Sequence, residues 1–148
     1  MHSAAAYQLT DRILIHPWQQ TTMGLGIASE PYLSLPLTID SDKLGEAVLA
    51  ALTHSGRVVP HPVSAKGLAA PRLSAAGVKS ERAFQTGTRS LSIERTKKSF
   101  RIEPSRNGGS KGDAKGFHPL PELSTFLDCD SDATIIGRAV RACFGRCA

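Results

Sequence analysis

The chain has 148 residues, of which 41% are hydrophobic, and this supplies one core but too little apolar surface for two. We therefore expect a single domain over residues 1–148. Charged residues make up 21%, and no long stretch combines few apolar residues with high charge. We therefore expect a folded chain and not a disordered one.

The first residues of the chain lack the pattern of a secretory signal. Residues 1–7 are small and neutral, without a basic stretch followed by an apolar one. No apolar run approaches the roughly 18 residues of a membrane span. The sequence therefore predicts a cytoplasmic protein that has no membrane partner.

The first half of the chain predicts short strands followed by one helix. β-Branched, aromatic and Leu residues, interrupted by Pro and Gly, indicate strands at 12–16, 23–28 and 32–38. The helix should begin at Asp40 or Ser41 and stop at Gly56. Its apolar face repeats at spacings of three and four: Leu44, Ala47, Val48, Ala51 and Leu52.

The middle of the chain predicts two short helices and a hairpin. A loop with X-Pro breaks leads to a short helix at 68–76, and Ser80 caps a further helical turn through Phe84. Apolar and polar residues then alternate at 89–94 and 99–103, which indicates two half-buried strands joined by a tight connection. The Gly-rich polar stretch 105–116 should be a flexible loop.

The end of the chain predicts one or two strands and a second amphipathic helix. The strands fall within 117–130, with Leu123, Thr125 and Leu127 on the side opposite Phe126. Ser131 is the expected cap of the helix, whose apolar face contains Ile135, Ile136, Ala139, Val140, Cys143 and Phe144. The whole order indicates an α+β fold, with antiparallel β-sheets packed against two main amphipathic helices.

No pattern of a catalytic, cofactor or metal site stands out. The run Gly24–Ser29 has two glycines in dinucleotide-like spacing, but Pro31 follows at once where a helix would be needed. The five histidines are scattered, and no pair has metal-ligand spacing. We therefore predict no enzymatic activity, no catalytic residues, no cofactor and no metal.

All three cysteines lie near the end of the chain and do not resemble a disulfide framework. Cys143 and Cys147 would share a helix face at a spacing that could hold a metal, but no His or acidic residue between or after them completes a site. Unreactive reduced thiols are the favoured interpretation.

Positive charge is concentrated in residues 79–115, which carry ten basic and four acidic residues, while the chain as a whole has a net charge of +5. Such a segment attracts nucleic acid or an acidic protein surface, and it can also be a solvated strand face. Charge alone does not choose among these.

Four phrases in order resemble the immunity proteins of contact-dependent growth inhibition systems: "MGLGIASEPYLSL", "LGEAVLAAL", "AAGVKSERAF" and "GFHPLPE". The resemblance implies a protein that binds and neutralises the C-terminal toxin domain of its own cell's effector, commonly a nuclease. It also implies a Whirly-like antiparallel α+β fold, with no activity or cofactor.

The toxin-binding candidates combine one aromatic residue with the basic segment. Trp18, next to Pro17 in an expected turn, is the aromatic residue most suspected of exposure. The basic candidates come from the predicted hairpin and its surroundings: Arg82, Arg89, Arg95, Lys97, Lys98, Arg101 and Arg106. A basic interface implies a toxin with an acidic contact patch; otherwise the interface lies in the near-neutral segment from Trp18 to Tyr32.

Two other functions compete with toxin binding. A small nucleic-acid-binding module using residues 79–115 predicts binding that weakens steeply with salt. A nuclease assembled from dispersed His and Asp predicts a bound divalent ion.

Overall fold

Runs of strands are separated by helices along the chain, in the α+β order that the sequence predicts, in a computed structural model that describes residues 1–148. The strands are β1 (His2–Gln8), β2 (Arg12–Thr21), β3 (Gly26–Ala28), β4 (Leu33–Pro36), β5 (Val58–Val59), β6 (Arg89–Arg95), β7 (Ser99–Glu103), β8 (Ser105–Asn107), β9 (Phe117–Pro119) and β10 (Thr125–Asp128). The helices are α1 (Ser41–His54), α2 (Ala70–Ala76), α3 (Glu81–Gln85) and α4 (Ala133–Phe144), with a 3-10 turn at Pro121–Leu123.

The main sheet has β1 at its centre. Its order is β10-β7-β6-β1-β2; β4 and β3 pair with the other edge of β2, and β5 pairs with the end of β2 on the edge that β1 occupies. Every pairing is antiparallel except that of β2 with β5. The centre of the register places Ala5 opposite His16 on β2 and opposite Ser92 on β6. β8 and β9 form a separate two-stranded ribbon.

One face of the sheet, called the near face, is covered by α1 and α4. Alternate residues of β1, β2, β6 and β7 point to it, as the period of two requires. They pack with the apolar faces of both helices into one core that includes Ile13, Ile15, Leu91, Ile93, Phe100, Ile102, Leu44, Val48, Ile136, Val140 and Phe144. The two predicted amphipathic helices are thus confirmed as the layer that closes this core.

The two helices cross in backbone contact at a pair of glycines. A methyl group added to Gly45 would lie 1.7 Å from the carbonyl oxygen of Ala133, and one added to Gly137 would lie 1.7 Å from that of Ser41. No real side chain tolerates such an approach, so both positions need glycine for its missing Cβ. This close crossing lets α1 and α4 lie together over the small side chains of β1.

The opposite face, called the far face, carries a smaller core. Tyr7 and Leu14 point to it and pack with Phe84 of α3 and Ala76 of α2. The ribbon lies over the same side, where Ser105 donates a hydrogen bond to the carbonyl of Ser90 at 2.7 Å. The far face is therefore only partly covered, by short elements and not by a continuous layer.

The strand at the centre of the sheet was not predicted. β1 contains three consecutive alanines, which have low strand propensity and mark no alternation, so residues 2–8 gave no strand pattern. The tertiary packing overrides this preference, because only small residues fit between the sheet and the two helices at Ala4 and Ala6.

β2 corrects two further expectations. It extends to Thr21, past the predicted end at residue 16, and includes Pro17. Trp18 therefore lies within a strand, paired with Ala28, and not in a turn. The strand predicted at 23–28 is shortened to β3, since residues 22–25 form the connecting turn.

The second half of the chain shows three smaller corrections. Residues 105–107 of the predicted loop form β8 and pair with β9. Leu123 lies in the 3-10 turn, 40% exposed, and not on the inward side of a strand. Asp132 and not Ser131 caps α4, because its side chain accepts a hydrogen bond from the amide of Ile135 at 3.0 Å. Ser80 caps α3 as predicted.

None of the helices is both long and apolar enough to traverse a lipid bilayer.

Replacing Gly45 by Ala should destabilise the protein by about 2 kcal/mol, because the added methyl forces α1 and α4 apart. The free energy of unfolding, measured by urea denaturation, checks this expectation. Gly26→Ala is the matched control, since no atom lies within 4 Å of the methyl that it adds. Equal stability of the two variants would contradict the proposed role of the crossing.

Candidate functional site

The far face is divided into an aromatic half and a charged half. The strands β1 and β2 supply the aromatic half, and β6 and β7 supply the charged half. Successive side chains of a strand point to opposite faces, so the far-face residues occupy the positions between those of the near-face core.

Six rings pack together in the aromatic half and are called the ring cluster: Tyr7, His16, Trp18, Tyr32, Phe84 and Phe117. Tyr7 meets Phe84 edge-on at 5.0 Å between ring centroids and lies 6.0 Å from Phe117. His16 meets Trp18 edge-on at 5.0 Å. Such arrangements are the favoured geometries of aromatic pairs, so the cluster is a packed and rigid surface.

His16 is fully buried at the centre of the ring cluster. Its Nδ1 lies 3.0 Å from the carbonyl oxygen of Pro17, and its Nε2 lies 3.4 Å from the hydroxyl of Tyr7. We assign the proton to Nδ1, which donates to the carbonyl, and this leaves Nε2 to accept. Burial lowers the pKa of His16 to about 4, and burial likewise raises the pKa of Tyr7 to about 12. Both groups are therefore neutral over the physiological range.

Three charged side chains form a network in the charged half. Arg101 contacts Glu94 at 2.9 Å and Glu103 at 3.0 Å. Glu103 is the most buried of the three, with 10% of its side chain exposed. Two carboxylates share one guanidinium, so the network carries one net negative charge within a basic protein.

A cleft of about 320 Å³ lies where the two halves meet. The central strand contributes Ala5 and Tyr7 to it, and β6 contributes Ser90 and Ser92. Glu103 and Ser105 line one side, while Trp18 and Phe117 line another. The cleft thus joins an acidic group to half-buried aromatic rings, and this makes it our candidate functional site.

The predicted basic candidates do not form one surface. Arg95 and Arg101 lie on opposite faces of the sheet. Arg95 pairs with Phe100, the neighbour of Arg101, and adjacent residues of a strand point to opposite faces. Arg95 donates to the carbonyl of Cys129 and lies 5.0 Å above the ring of Phe100. Arg89 donates to the carbonyl of Phe144 at 3.4 Å. These guanidinium groups, with that of Arg101, are held by contacts within the chain.

The other basic candidates are exposed and separated. Lys97 and Lys98 occupy the turn between β6 and β7, while Arg82 lies on α3 and Arg106 on β8. Of all the predicted interface residues, only Trp18 lines the cleft.

Several residues of the cleft were not predicted as functional. Tyr7 belongs to the unrecognised strand β1, and Glu103 was treated only as part of a half-buried strand. The pairing of β1 with β6 brings these distant residues together, and no local sequence signal reports that pairing. The alternation of β7 could have placed Glu103 and Arg101 on one face, opposite Phe100 and Ile102.

The three cysteines are free thiols. Cys143 lies in the near-face core, where burial raises its pKa to about 11. No group of three or more His, Cys, Asp and Glu side chains is placed to hold a metal ion.

The fold is similar to those of two solved structures. One is a protein of unknown function from Neisseria meningitidis, with a TM-score of 0.76 and 19% identity, covering 99% of this chain and 95% of that one. The other is a chain of the CdiA-CT/CdiI toxin and immunity complex from Yersinia pseudotuberculosis, with a TM-score of 0.77 and 18% identity, covering 99% of this chain and 97% of that one. No family model and no curated protein matches the sequence. At these identities the likeness concerns the fold.

Lowering the pH from about 6.5 to about 4 should destabilise the fold through His16. The unfolded chain binds a proton there near pH 6.5, whereas the folded protein does so only near pH 4. Between these values the unfolded state holds more protons than the folded state. The free energy of unfolding therefore decreases as the pH is lowered, by up to about 3 kcal/mol in all. Urea denaturation across this range measures the slope.

The variant His16→Gln should lose most of that slope, because it removes the titrating group. His54→Gln, at an exposed histidine of α1, should keep it. Identical slopes for the unsubstituted protein and His16→Gln would contradict the assignment.

Proposed function

We propose that this chain is an immunity protein, which binds and neutralises the C-terminal toxin domain of a contact-dependent growth inhibition effector made by the same cell. The observation that carries the proposal is the shared fold with a chain of a toxin and immunity complex, over nearly the full length of both. The sequence phrases that resemble immunity proteins support it independently. In this role the protein acts in the cytoplasm on a toxin that is a nuclease.

An immunity protein works by binding and needs no reaction of its own. Tight binding requires rigid aromatic or charged anchors at the centre of the contact, and exposed charges around it mainly steer encounter. The ring cluster and the cleft supply anchors of this kind, and they are held in place by packing on both sides of Tyr7.

Exposed apolar residues beside the end of β2, the strand that carries Trp18, favour an interface in this part of the molecule. Met23, Leu25 and Val58 are 75%, 54% and 68% exposed, respectively. All three belong to segments that flank the end of β2: the amide of Thr21 donates to the carbonyl of Leu25 at 2.8 Å on one edge, and β5 pairs with residues 20–21 on the other. Exposed apolar side chains on both sides of a strand that carries an aromatic residue of the cleft are typical of a protein contact. We therefore place the centre of the toxin interface between Trp18 and Tyr32.

The exposed basic residues fit a different part in binding. Four exposed side chains can attract an acidic surface at a distance: Arg82, Lys97, Lys98 and Arg106. The guanidinium groups of Arg89, Arg95 and Arg101 already contact other groups of the chain and are less available for this role. We propose that the exposed ones form the rim of the interface.

The direct test uses the toxin-like C-terminal domain of the effector that the proposal expects to be encoded immediately upstream. Mixed with this chain, that domain should form a one-to-one complex by size-exclusion chromatography with light scattering. Its activity on DNA or RNA should fall as the complex forms, and co-expression of this chain should restore growth. An unimpaired toxin in the presence of excess protein would overturn the proposal.

Trp18→Ala should weaken the complex by at least about tenfold, because aromatic anchors at an interface centre contribute about 2 kcal/mol or more. Isothermal titration calorimetry measures Kd. Phe126→Ala is the matched control, since Phe126 is 66% exposed on β10 at the other end of the sheet. A Kd unchanged by Trp18→Ala in a folded variant would exclude this part of the far face.

Changing Lys97 and Lys98 together to Glu should slow association with the toxin domain by several-fold while leaving dissociation nearly constant, as expected for rim charges. Stopped-flow mixing at low and high salt measures both rates. The effect should shrink as salt screens the charges. A faster dissociation with constant association would instead place the two lysines in the buried contact.

A further inference from the structure

We infer that the far-face cleft is built to receive an arginine side chain of the bound partner, with its guanidinium on Glu103 and against the rings of Trp18 and Phe117. This inference rests on the proposed function and specifies the chemistry of the residue that the toxin inserts.

The size of the cleft suits one side chain. Its volume of about 320 Å³ is at the low end of small-molecule sites, which span roughly 300–1,000 Å³. The floor is set by the small residues Ala5, Ser90 and Ser92, so an unbranched chain can reach the backbone of the sheet. A long, thin side chain fits this shape better than a bulky ring system.

The charge of the cleft selects a cation. Only Oε2 of Glu103 accepts a hydrogen bond from Arg101, and Oε1 accepts none from the chain. Arg101 is already shared with Glu94, so its positive charge does not cancel both carboxylates. A second guanidinium would supply the missing counter-charge, and its bond to a carboxylate with 10% exposure would be charge-assisted.

The remaining polar groups are suited to accept hydrogen bonds. Ser92 makes no side-chain hydrogen bond within the chain, and Ser105 uses its proton on the carbonyl of Ser90. Both hydroxyls line the cleft with free lone pairs. Arginine presents five donors in a planar fork and no acceptor, which matches this set.

The aromatic rings favour a planar cation in particular. Trp18 and Phe117 line the cleft, and guanidinium groups stack on such faces more readily than ammonium groups do. The ring cluster already contains one such contact, since Arg72 lies 4.3 Å above Phe84 and pairs with Glu81. Arg72 is occupied by those partners and does not line the cleft.

An acidic cleft also accounts for how a basic protein can hold a nuclease. Enzymes that act on nucleic acid present basic residues at their working surface. This chain has a net charge of +5, but the Arg101 network gives it one local negative site at the centre of the far face.

The experiment probes the cleft without the toxin. Capped arginine (N-acetylarginine methylamide) is titrated to about 100 mM, with capped citrulline as the neutral isostere, at constant ionic strength. The protein has a single tryptophan, so its emission reports on Trp18, and two-dimensional NMR follows the amides of Ser92 and Phe117. Capped arginine should give saturable shifts at these amides, and capped citrulline should give none.

Glu103→Gln should weaken the binding of capped arginine by about tenfold, because it keeps the shape of the side chain and removes the charge. Glu122→Gln, at an exposed glutamate in the 3-10 turn, is the matched control and should bind like the unsubstituted protein. Equal binding of arginine and citrulline, no saturable shift, or no effect of Glu103→Gln would overturn the inference.

The same variants with the toxin domain separate this inference from the proposed function. A toxin complex that forms but is insensitive to Glu103→Gln would refute the arginine site and leave the immunity function standing. Selective arginine binding without any toxin complex would support the cleft and refute the immunity function.

Discussion

The backbone contact between α1 and α4 determines how the rest of the molecule is arranged. Because Gly45 and Gly137 let the two helices meet without intervening side chains, both can lie over the same few strands. The alanines of β1 complete the fit from the sheet side. The near face is thereby closed by a continuous apolar layer, so polar and aromatic groups that could meet another molecule are left to the far face.

The far face holds groups that are costly to bury, and their arrangement keeps that cost low. His16 stays neutral and donates to the carbonyl of Pro17, so no charge is buried within the ring cluster. Glu103 keeps its charge but has Arg101 beside it. Polar groups held in this way are already oriented before any partner arrives, which reduces the entropy lost on binding.

The sequence predicts the parts of this fold whose residues repeat regularly. The spacing of Leu44, Val48 and Leu52 and the alternation of β6 and β7 each report a buried face directly, so α1, α4 and the hairpin were placed correctly. β1 was not predicted because alanine carries no strand signal. The cleft was not predicted because it depends on the pairing of β1 with β6, whose paired residues are more than eighty positions apart in sequence.

Because side chains alternate along a strand, one strand carries two sets of positions, one in the core and one on the far face. On β6, Leu91 and Ile93 are confined to the helix-covered core, whereas Ser90, Ser92 and Glu94 between them face the other way. Substitutions at the second set leave the packing of the first untouched. The side chains of the far face and those of the apolar core can therefore change separately along a single strand.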